Sequence, residues 1–288
     1  MSATAASPIT DAPTRAAVMA QAGSENFPVA TRLVGARRRA HLLAIYGFAR
    51  LVDDAGDEAA GDRSALLDWI EHDLDRLYAS EKPEHPVLTA LAPTVRALGL
   101  PATPFRRLIE ANRHDQTIDR YPTFSSLLDY CQLSAAPVGE LVLHVFGAST
   151  PDRVRLSDQI CAGLQVTEHL QDVAEDRERG RVYLPAEDLA RFGCTDVDLL
   201  ARTPSRAFTE LMAFEVTRAR ALLADGAPLI RRLPPAGALA VAGFVAGGRA
   251  ALDALQAGAY DVLGGRPRPS RSMFAAALLR TLGGRPCR

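Results

Sequence analysis

The sequence has few cysteines, a single lysine and no long apolar run, and each shortage excludes a class of protein. Its 288 residues include four cysteines, which are scattered without a CxxC spacing. This pattern excludes a disulfide framework and a cysteine-rich zinc site. We therefore expect reduced thiols and a cytoplasmic protein.

The charge balance and hydropathy also limit the class of protein. The formal net charge is −1 and 48% of the residues are hydrophobic, which is typical of a soluble globular protein. Because no basic excess is present, nucleic acid is not an expected partner. The longest apolar run, residues 236–246, is short and glycine-rich, so it predicts a buried core helix rather than a membrane span.

The two ends of the chain differ from the rest. Residues 1–23 lack the apolar segment of a signal peptide and predict a disordered leader. Residues 265–288 predict a basic C-terminal helix or tail, since the sequence after Asp261 has six arginines and no acid. Such a tail can make peripheral contact with the anionic inner face of a membrane, or remain solvated. The oligomeric state stays open.

Helical periodicity dominates residues 24–264, and no stretch alternates in the manner of a strand. The predicted fold is therefore all-α and forms a single domain. In a helical bundle, facing helices can enclose a central cavity. The predicted helices include residues 28–57 with a break near Gly35, 62–80, 86–98, 103–119 with Thr103 as the cap, 123–136 with Thr123 as the cap, 138–147, 151–177, 204–224, 236–263 and 270–282.

Two acidic clusters are the strongest indication of function in the sequence. Asp53 and Asp57 lie four residues apart in one predicted helix, and Asp172 and Asp176 repeat this spacing in another. Side chains at i and i+4 share one face of a helix, where like charges repel by a few tenths of a kcal/mol. A solvated helix face explains one such pair. Two pairs, each on a face with apolar neighbours, indicate a shared cation site.

The chemistry of these side chains favours a particular cation. Carboxylates without nearby cysteine or paired histidine suit a hard ion, Mg²⁺ above all. Because Mg²⁺ held by few carboxylates usually completes its shell with water and phosphate oxygens, the pattern indicates a phosphorylated ligand.

Three motifs carry a family resemblance. Residues 44–58, AIYGFARLVDDAGDE, resemble the first aspartate-rich motif of the squalene/phytoene synthase family. Residues 165–185, QVTEHLQDVAEDRERGRVYLP, resemble its second motif, and residues 130–139, YCQLSAAPVG, resemble its central helix. The resemblance extends over most of the chain, from about Ser24 to Leu263.

The resemblance implies a class I terpenoid synthase fold, an all-α bundle around a central cavity, that binds a prenyl diphosphate with two or three Mg²⁺ ions. It implies metal binding by Asp53, Asp57, Asp172 and Asp176, with Glu168 as an added ligand where the family usually has Asn. It implies catalytic roles for these four aspartates and for Arg50 and Tyr183. It implies substrate contacts by Tyr46, Gln165, His169, Arg177, Arg181, Phe27 and Tyr130.

Within the family, residues 24–30 and 134–143 resemble the bacterial hydroxysqualene synthases. That resemblance implies conversion of presqualene diphosphate and water into hydroxysqualene and diphosphate, a step of squalene and hopanoid biosynthesis. No GxGxxG motif is present, so NADPH is not an expected cofactor. Presqualene diphosphate synthase, squalene or dehydrosqualene synthase and phytoene synthase share both acidic motifs and remain alternatives.

Other hypotheses stay open at this stage. The His114–Asp115 and His72–Asp73 pairs permit a metal-dependent phosphohydrolase, and an all-α chain permits a helical adaptor without catalysis. His169 has two candidate roles as well. It can be the general base for a reacting water, because the pKa of histidine is near neutral, or it can only hydrogen-bond Glu168.

Overall fold

The computed structural model describes residues 12–20 and 34–283, and within them every regular element is a helix. This confirms the predicted all-α fold. A 3₁₀-helix, Ala227–Arg232, follows α12. The α-helices are α1 Arg15–Ala20, α2 Ala36–Asp57, α3 Arg63–Tyr78, α4 Pro86–Leu98, α5 Thr103–His114, α6 Phe124–Ser134, α7 Ala136–Val145, α8 Pro151–Gln171, α9 Val173–Glu178, α10 Ala186–Phe192, α11 Asp196–Leu200, α12 Arg206–Gly226, α13 Pro235–Ala257 and α14 Arg271–Leu282.

Local capping explains several helix boundaries. The Thr123 hydroxyl accepts a hydrogen bond from the Ser126 backbone N–H, and the Ser126 hydroxyl accepts one from Thr123, so α6 starts with the predicted cap. The predicted cap at Thr103 is wrong. Ala102 is the N-cap of α5, Thr103 is the first helical residue, and Pro104 occupies the first turn, where its missing N–H costs no hydrogen bond.

A backbone contact between residues 119–120 and Val182 ends α5 earlier than the sequence predicts. The helix stops at His114 instead of continuing to Asp119. The Asp119 carbonyl accepts a hydrogen bond from Val182 N at 2.8 Å, and Arg120 forms an isolated bridge with Val182. Because this contact needs extended backbone, it overrides the helical periodicity of residues 115–119.

The predicted continuous helix over residues 151–177 is also wrong, because the chain breaks at Asp172. Its φ of −106° and ψ of 15° lie outside the helical region, and they separate α8 from α9. The Asp176 N–H still donates to the Asp172 carbonyl at 2.8 Å, so the two aspartates remain one turn apart. The sequence analysis also missed α10 and α11, which follow this motif.

Both chain ends pack on the bundle where they are described. Val18 of α1 is fully buried, and His85 Nε2 lies 3.1 Å from the Pro13 carbonyl oxygen. Residues 12–20, which belong to the expected disordered leader, thus contact the bundle, while the rest of that segment lies outside the described residues. At the other end, Ala277 of α14 is fully buried against Ala246 and Ala250 of α13, so the helical part of the tail joins the body of the protein.

Helices α8, α12 and α13 form the centre of the bundle. Gly163 of α8 allows close approach of α12, since a Cβ there would lie 2.9 Å from Leu223 Cγ. Helix α13 is long and apolar enough to cross a membrane by length and composition, but 67% of its most apolar window is buried inside the protein. This agrees with the predicted core helix over residues 236–246.

A buried polar cluster fastens α10 to α12. Arg218 NH1 lies 2.5 Å from Asp188 Oδ2 and 3.4 Å from Glu215 Oε1. The Arg218 guanidinium also covers the rings of Phe124 and Phe214 at 4.4 and 4.3 Å from their centroids. Burial raises the pKa of Glu215 to about 8; Arg218 opposes the change and the Asp188 carboxylate adds to it.

The raised pKa of Glu215 should consequently make the stability of the protein fall with rising pH. Its folded pKa lies above its unfolded value, so the folded state holds a proton that the unfolded state releases, and stability falls as the pH rises from about 4.5 to 8. We expect Glu215→Gln to raise the melting temperature relative to wild type at pH 8 more than at pH 5. Thermal unfolding at both values checks this. An equal difference at the two pH values would contradict it.

Candidate active site

A cavity of about 280 Å³ lies between α2, α7, α8 and α13. Leu42, Ile160 and Phe244 are among its apolar lining residues. Its polar lining residues on α2 are Tyr46, Arg50 and Asp53, and those on α8 include Gln165 and Glu168. The structure therefore places these five predicted site residues on the wall of one central cavity, whose apolar part suits a hydrocarbon chain.

Asp53 faces this cavity, where water reaches its carboxylate. Asn112 Nδ2 donates to Asp53 Oδ1 at 3.2 Å. Gly56 makes this contact possible, because a Cβ at this position would lie 2.3 Å from Asn112 Oδ1. Desolvation by the surrounding protein raises the pKa of Asp53 to about 7, while the Asn112 hydrogen bond and the Arg50 charge lower it.

Arg50 pairs with two acids near the end of α2. Its Nε donates to Asp54 Oδ1 at 2.7 Å, and its NH2 lies 3.5 Å from Glu58 Oε1. Asp54 is buried, so this i,i+4 pair holds the guanidinium against α2 beside Asp53. Arg50 thus lines the cavity as a fixed positive charge.

The second acidic pair is held by a residue from the C-terminal segment. Arg266 NH1 lies 3.1 Å from Asp172 Oδ1. Desolvation raises the pKa of Asp172 to about 6; Arg266 opposes the change and Asp176 adds to it. The Gln171 side chain donates to the Pro267 carbonyl at 2.9 Å, so the loop before α14 is fastened to the end of α8.

Arg181 joins the two acidic motifs. Its NH1 lies 2.8 Å from Asp57 Oδ1, and its NH2 donates to the Asp115 carbonyl at 3.4 Å. Its backbone N–H donates to the Asp176 carbonyl at 2.8 Å. One residue thereby connects the end of α2, the end of α5 and the turn of α9.

A cluster of aromatic rings surrounds a carboxylate beside this junction. The Tyr130 hydroxyl donates to Asp115 Oδ2 at 2.6 Å, and the Tyr183 hydroxyl donates to Asp115 Oδ1 at 3.5 Å. The Tyr121 ring stacks on the Tyr183 ring with centroids 5.6 Å apart. Burial raises the pKa of Asp115, and the Tyr130 hydrogen bond lowers it. This carboxylate is thus an anchor for two tyrosines.

His169 lies between the cavity and the second acidic pair. Its ring stacks on Tyr183 with centroids 3.6 Å apart, and its Nε2 lies 3.2 Å from the Gln165 amide nitrogen. Its Nδ1 lies 3.8 Å from Asp176 Oδ2. The histidine is therefore held by Gln165 and Tyr183, and it can exchange a proton with a molecule that reaches either nitrogen.

The structure brings most of the predicted residues together. His169, Asp176, Arg177, Arg181 and Tyr183 line a second, smaller cavity. Phe27 lies outside the described residues. Sequence reasoning missed Asn112, Asp115 and Arg266. Only Asp115 had a signal, the neighbouring His114, and that pair was interpreted as a feature of phosphohydrolases.

The rival metal site is absent from the described residues. Asp115 is bound to tyrosines, His114 packs on the Tyr121 ring at 6.1 Å, and His72 is exposed. No three His, Cys, Asp or Glu side chains of residues 12–20 and 34–283 are close enough to hold a metal among themselves. A phosphohydrolase site of several gathered histidines is therefore not formed there.

The aspartate pairs do fit a cation whose coordination shell is completed by oxygens of other molecules. Asp172 Oδ1 and Asp176 Oδ2 are buried and accept no hydrogen bond from the described residues; their nearest charged or chargeable neighbours are Arg266 at 3.1 Å and His169 at 3.8 Å. Buried carboxylate oxygens that lack a hydrogen bond are costly unless positive charge lies near them. Each motif supplies only two such side chains, so a hard ion here needs further oxygens from water or phosphate.

Comparison with known proteins decides the family. The family model for squalene/phytoene synthase matches residues 20–273. The chain belongs to the squalene/phytoene synthase family. The motif resemblance and the class I terpenoid synthase fold are thereby confirmed.

Relatives within the family carry several names. The chain is 35% identical to a hydroxysqualene synthase from Rhodopseudomonas palustris over 71% of this chain and 70% of the relative. It is 32% identical to a 15-cis-phytoene synthase from Synechocystis, over 87% of this chain and 79% of the relative. The crystal structure of squalene synthase HpnC from Alicyclobacillus acidocaldarius is 44% identical, with a TM-score of 0.75 over 80% of this chain and 87% of that one.

The tyrosine cluster predicts a measurable stability difference. Tyr130→Phe keeps the ring but removes the 2.6 Å hydrogen bond to Asp115. Because a buried charged acceptor loses its donor, we expect a loss of about 1.5–3 kcal/mol in the free energy of unfolding. Tyr183→Phe removes only a 3.5 Å contact to the same carboxylate and is the matched control. Urea unfolding measures both. Equal losses in the two variants would contradict the assignment.

Proposed function

We propose that this protein is a hydroxysqualene synthase. It ionises presqualene diphosphate with Mg²⁺ and lets water capture the rearranged cation, which yields hydroxysqualene and diphosphate without NADPH. The observation that carries this proposal is that Arg181 contacts both acidic motifs, while Asp53 and Glu168 lie on the wall of an apolar cavity. The hydroxysqualene synthase from Rhodopseudomonas palustris, at 35% identity, supports the choice within the family.

The acidic residues of the two motifs would bind the metal ions in this reaction. Asp53 and Asp57, with Asp172 and Asp176, would hold Mg²⁺, and Glu168 would add a ligand from the cavity wall. The ions, when bound, neutralise the charge that develops on the departing diphosphate.

Arginines lie where that diphosphate would leave. Arg50 and Arg181 place fixed guanidinium groups beside the first aspartate pair, and Arg177 lines the smaller cavity at the second. Planar guanidinium groups suit bidentate contacts with phosphate oxygens.

The apolar wall would exclude water from the prenyl chains while one water captures the cation. Aromatic faces stabilise a nearby cation, and Tyr46 on the cavity wall and Tyr183 in the smaller cavity would do so, with the Tyr130 ring 5.8 Å from that of Tyr183. His169 would accept the proton from the capturing water, because an imidazole is the most common general base among side chains.

Product analysis tests the proposal directly. The purified protein receives presqualene diphosphate and Mg²⁺ in H₂¹⁸O without NADPH, and separate reactions receive farnesyl or geranylgeranyl diphosphate. We expect diphosphate release and a C30 alcohol that carries ¹⁸O, because water is the proposed nucleophile. Turnover of geranylgeranyl diphosphate to a C40 product would instead assign phytoene synthase. A strict NADPH requirement with squalene as the sole product would refute water capture.

The aspartates should be needed for turnover but not for folding. We expect Asp53→Asn and Asp172→Asn each to lower kcat by at least about 100-fold, which is about 2.7 kcal/mol of transition-state stabilisation. Glu178→Gln, an exposed acid of the second motif, is the matched control and should keep its activity. Steady-state kinetics and circular dichroism follow each variant. Normal kcat in either asparagine variant would remove that aspartate from the site.

A further inference from the structure

The last helix, α14, has an apolar face on each side. Its inner side packs on α13 through Met273, Phe274, Ala277 and Leu278. Its outer side is exposed and uncharged: the fractional exposure is 73% for Leu279 and 54% for Leu282. The outward residues are Ser272, Ala275, Ala276, Leu279 and Leu282.

These outward residues form one continuous stripe, which we call the outer face of α14. They follow each other at i, i+3, i+4, i+7 and i+10, the spacing of a single side of an α-helix. A helix that is apolar on two sides needs a partner for each. Helix α13 covers only the inner side.

The orientation of this stripe is fixed. Arg280 NH2 donates to Asp253 Oδ2 at 2.6 Å, and Arg249 NH1 donates to the Thr281 hydroxyl at 2.9 Å. These contacts fasten the far end of α14 to α13. The outer face therefore points away from the bundle in the folded protein, and the leucines on it are available to a partner.

Positive charge lies at the start of the outer face. Arg268 and the exposed Arg271 lie at its start and make no ion pair with any acid of the described residues. In the sequence, Arg285 and Arg288 follow its end, and no acid occurs after Asp261. A surface of this composition attracts an anionic partner that also accepts leucine side chains.

We propose that the outer face of α14 docks on an anionic lipid bilayer. The leucines enter the boundary of the headgroups and acyl chains, and the flanking arginines contact the lipid phosphates. A second copy of this chain fits the face less well, because the outer face and the rest of the sequence after Asp261 carry no acid that could pair with the arginines of that copy.

Docking there would bring the polar end of the active site near the membrane. The loop before α14 carries Arg266 and Pro267, which contact Asp172 and Gln171 at the end of α8. A short segment therefore joins the membrane surface to the second aspartate motif. This inference does not depend on which prenyl diphosphate the protein uses.

Vesicle flotation tests the proposal with the full chain and without substrate. One set of vesicles contains equal parts of phosphatidylglycerol and phosphatidylcholine, and the other contains phosphatidylcholine alone. The variant is Leu279→Ser with Leu282→Ser. Its matched control is Val197→Ser with Leu200→Ser on α11, where the exposed fractions are 75% and 62% and the spacing is the same, but two aspartates flank the pair. Melting temperatures confirm that each variant folds.

We expect the wild type to float with the anionic vesicles, and to do so less at high salt. The leucine variant should lower this partitioning by at least about tenfold, because two apolar side chains no longer enter the bilayer. Arg268→Gln with Arg271→Gln should lower it by about tenfold through lost lipid contacts. The α11 control should bind as the wild type does.

Three results would overturn the proposal. The first is a wild type that ignores anionic vesicles. The second is a leucine variant that binds them as well as the wild type. The third is a wild-type dimer in light scattering that the leucine variant converts to monomer while neither protein binds vesicles, which would assign the outer face to a contact between two copies of this chain.

Discussion

Negative charge gathered beside an apolar cavity is the constraint on which the rest of the site depends. Each acidic cluster would repel itself and lose hydration without a nearby cation. The protein supplies positive charge from three separate segments: Arg50 pairs with Asp54, Arg181 pairs with Asp57, and Arg266 pairs with Asp172. Only the first pair is local in sequence. The other two form when the bundle closes, so the geometry of the site is a product of the whole fold.

The sequence predicted the features that depend on local chemistry. Helical periodicity, the cap at Thr123 and the one-turn separation of Asp172 and Asp176 follow from neighbouring residues, and the structure has all three. The break at Asp172 was not predictable, because no glycine or proline marks it. Arg266 was placed in a tail outside the domain, since composition shows charge but not the distant carboxylate that the charge meets.

Asn112 and Asp115 show a different limit of sequence reasoning. The contact of Asn112 with Asp53 depends on the missing Cβ of Gly56, a residue of another helix. Asp115 follows a histidine, and this pair in isolation is typical of a metal site. Its hydrogen bonds to the hydroxyls of Tyr130 and Tyr183 instead make it a support for the aromatic wall. In both cases the role of the side chain depends on a residue that becomes its neighbour only in the folded protein. No motif of adjacent residues predicts such a contact.

The supporting contacts also decide the protonation state of the site. Burial alone would keep the carboxyl groups of Asp53 and Asp172 protonated, and a protonated group holds a metal ion poorly. Asn112 and Arg50 oppose this at Asp53, as Arg266 does at Asp172, so that their pKa values remain at about 7 and 6. Near neutral pH a cation therefore has to displace at most a fraction of a proton from each. The same arginines that balance the charge of the empty site thus keep the carboxylates ready for an incoming cation.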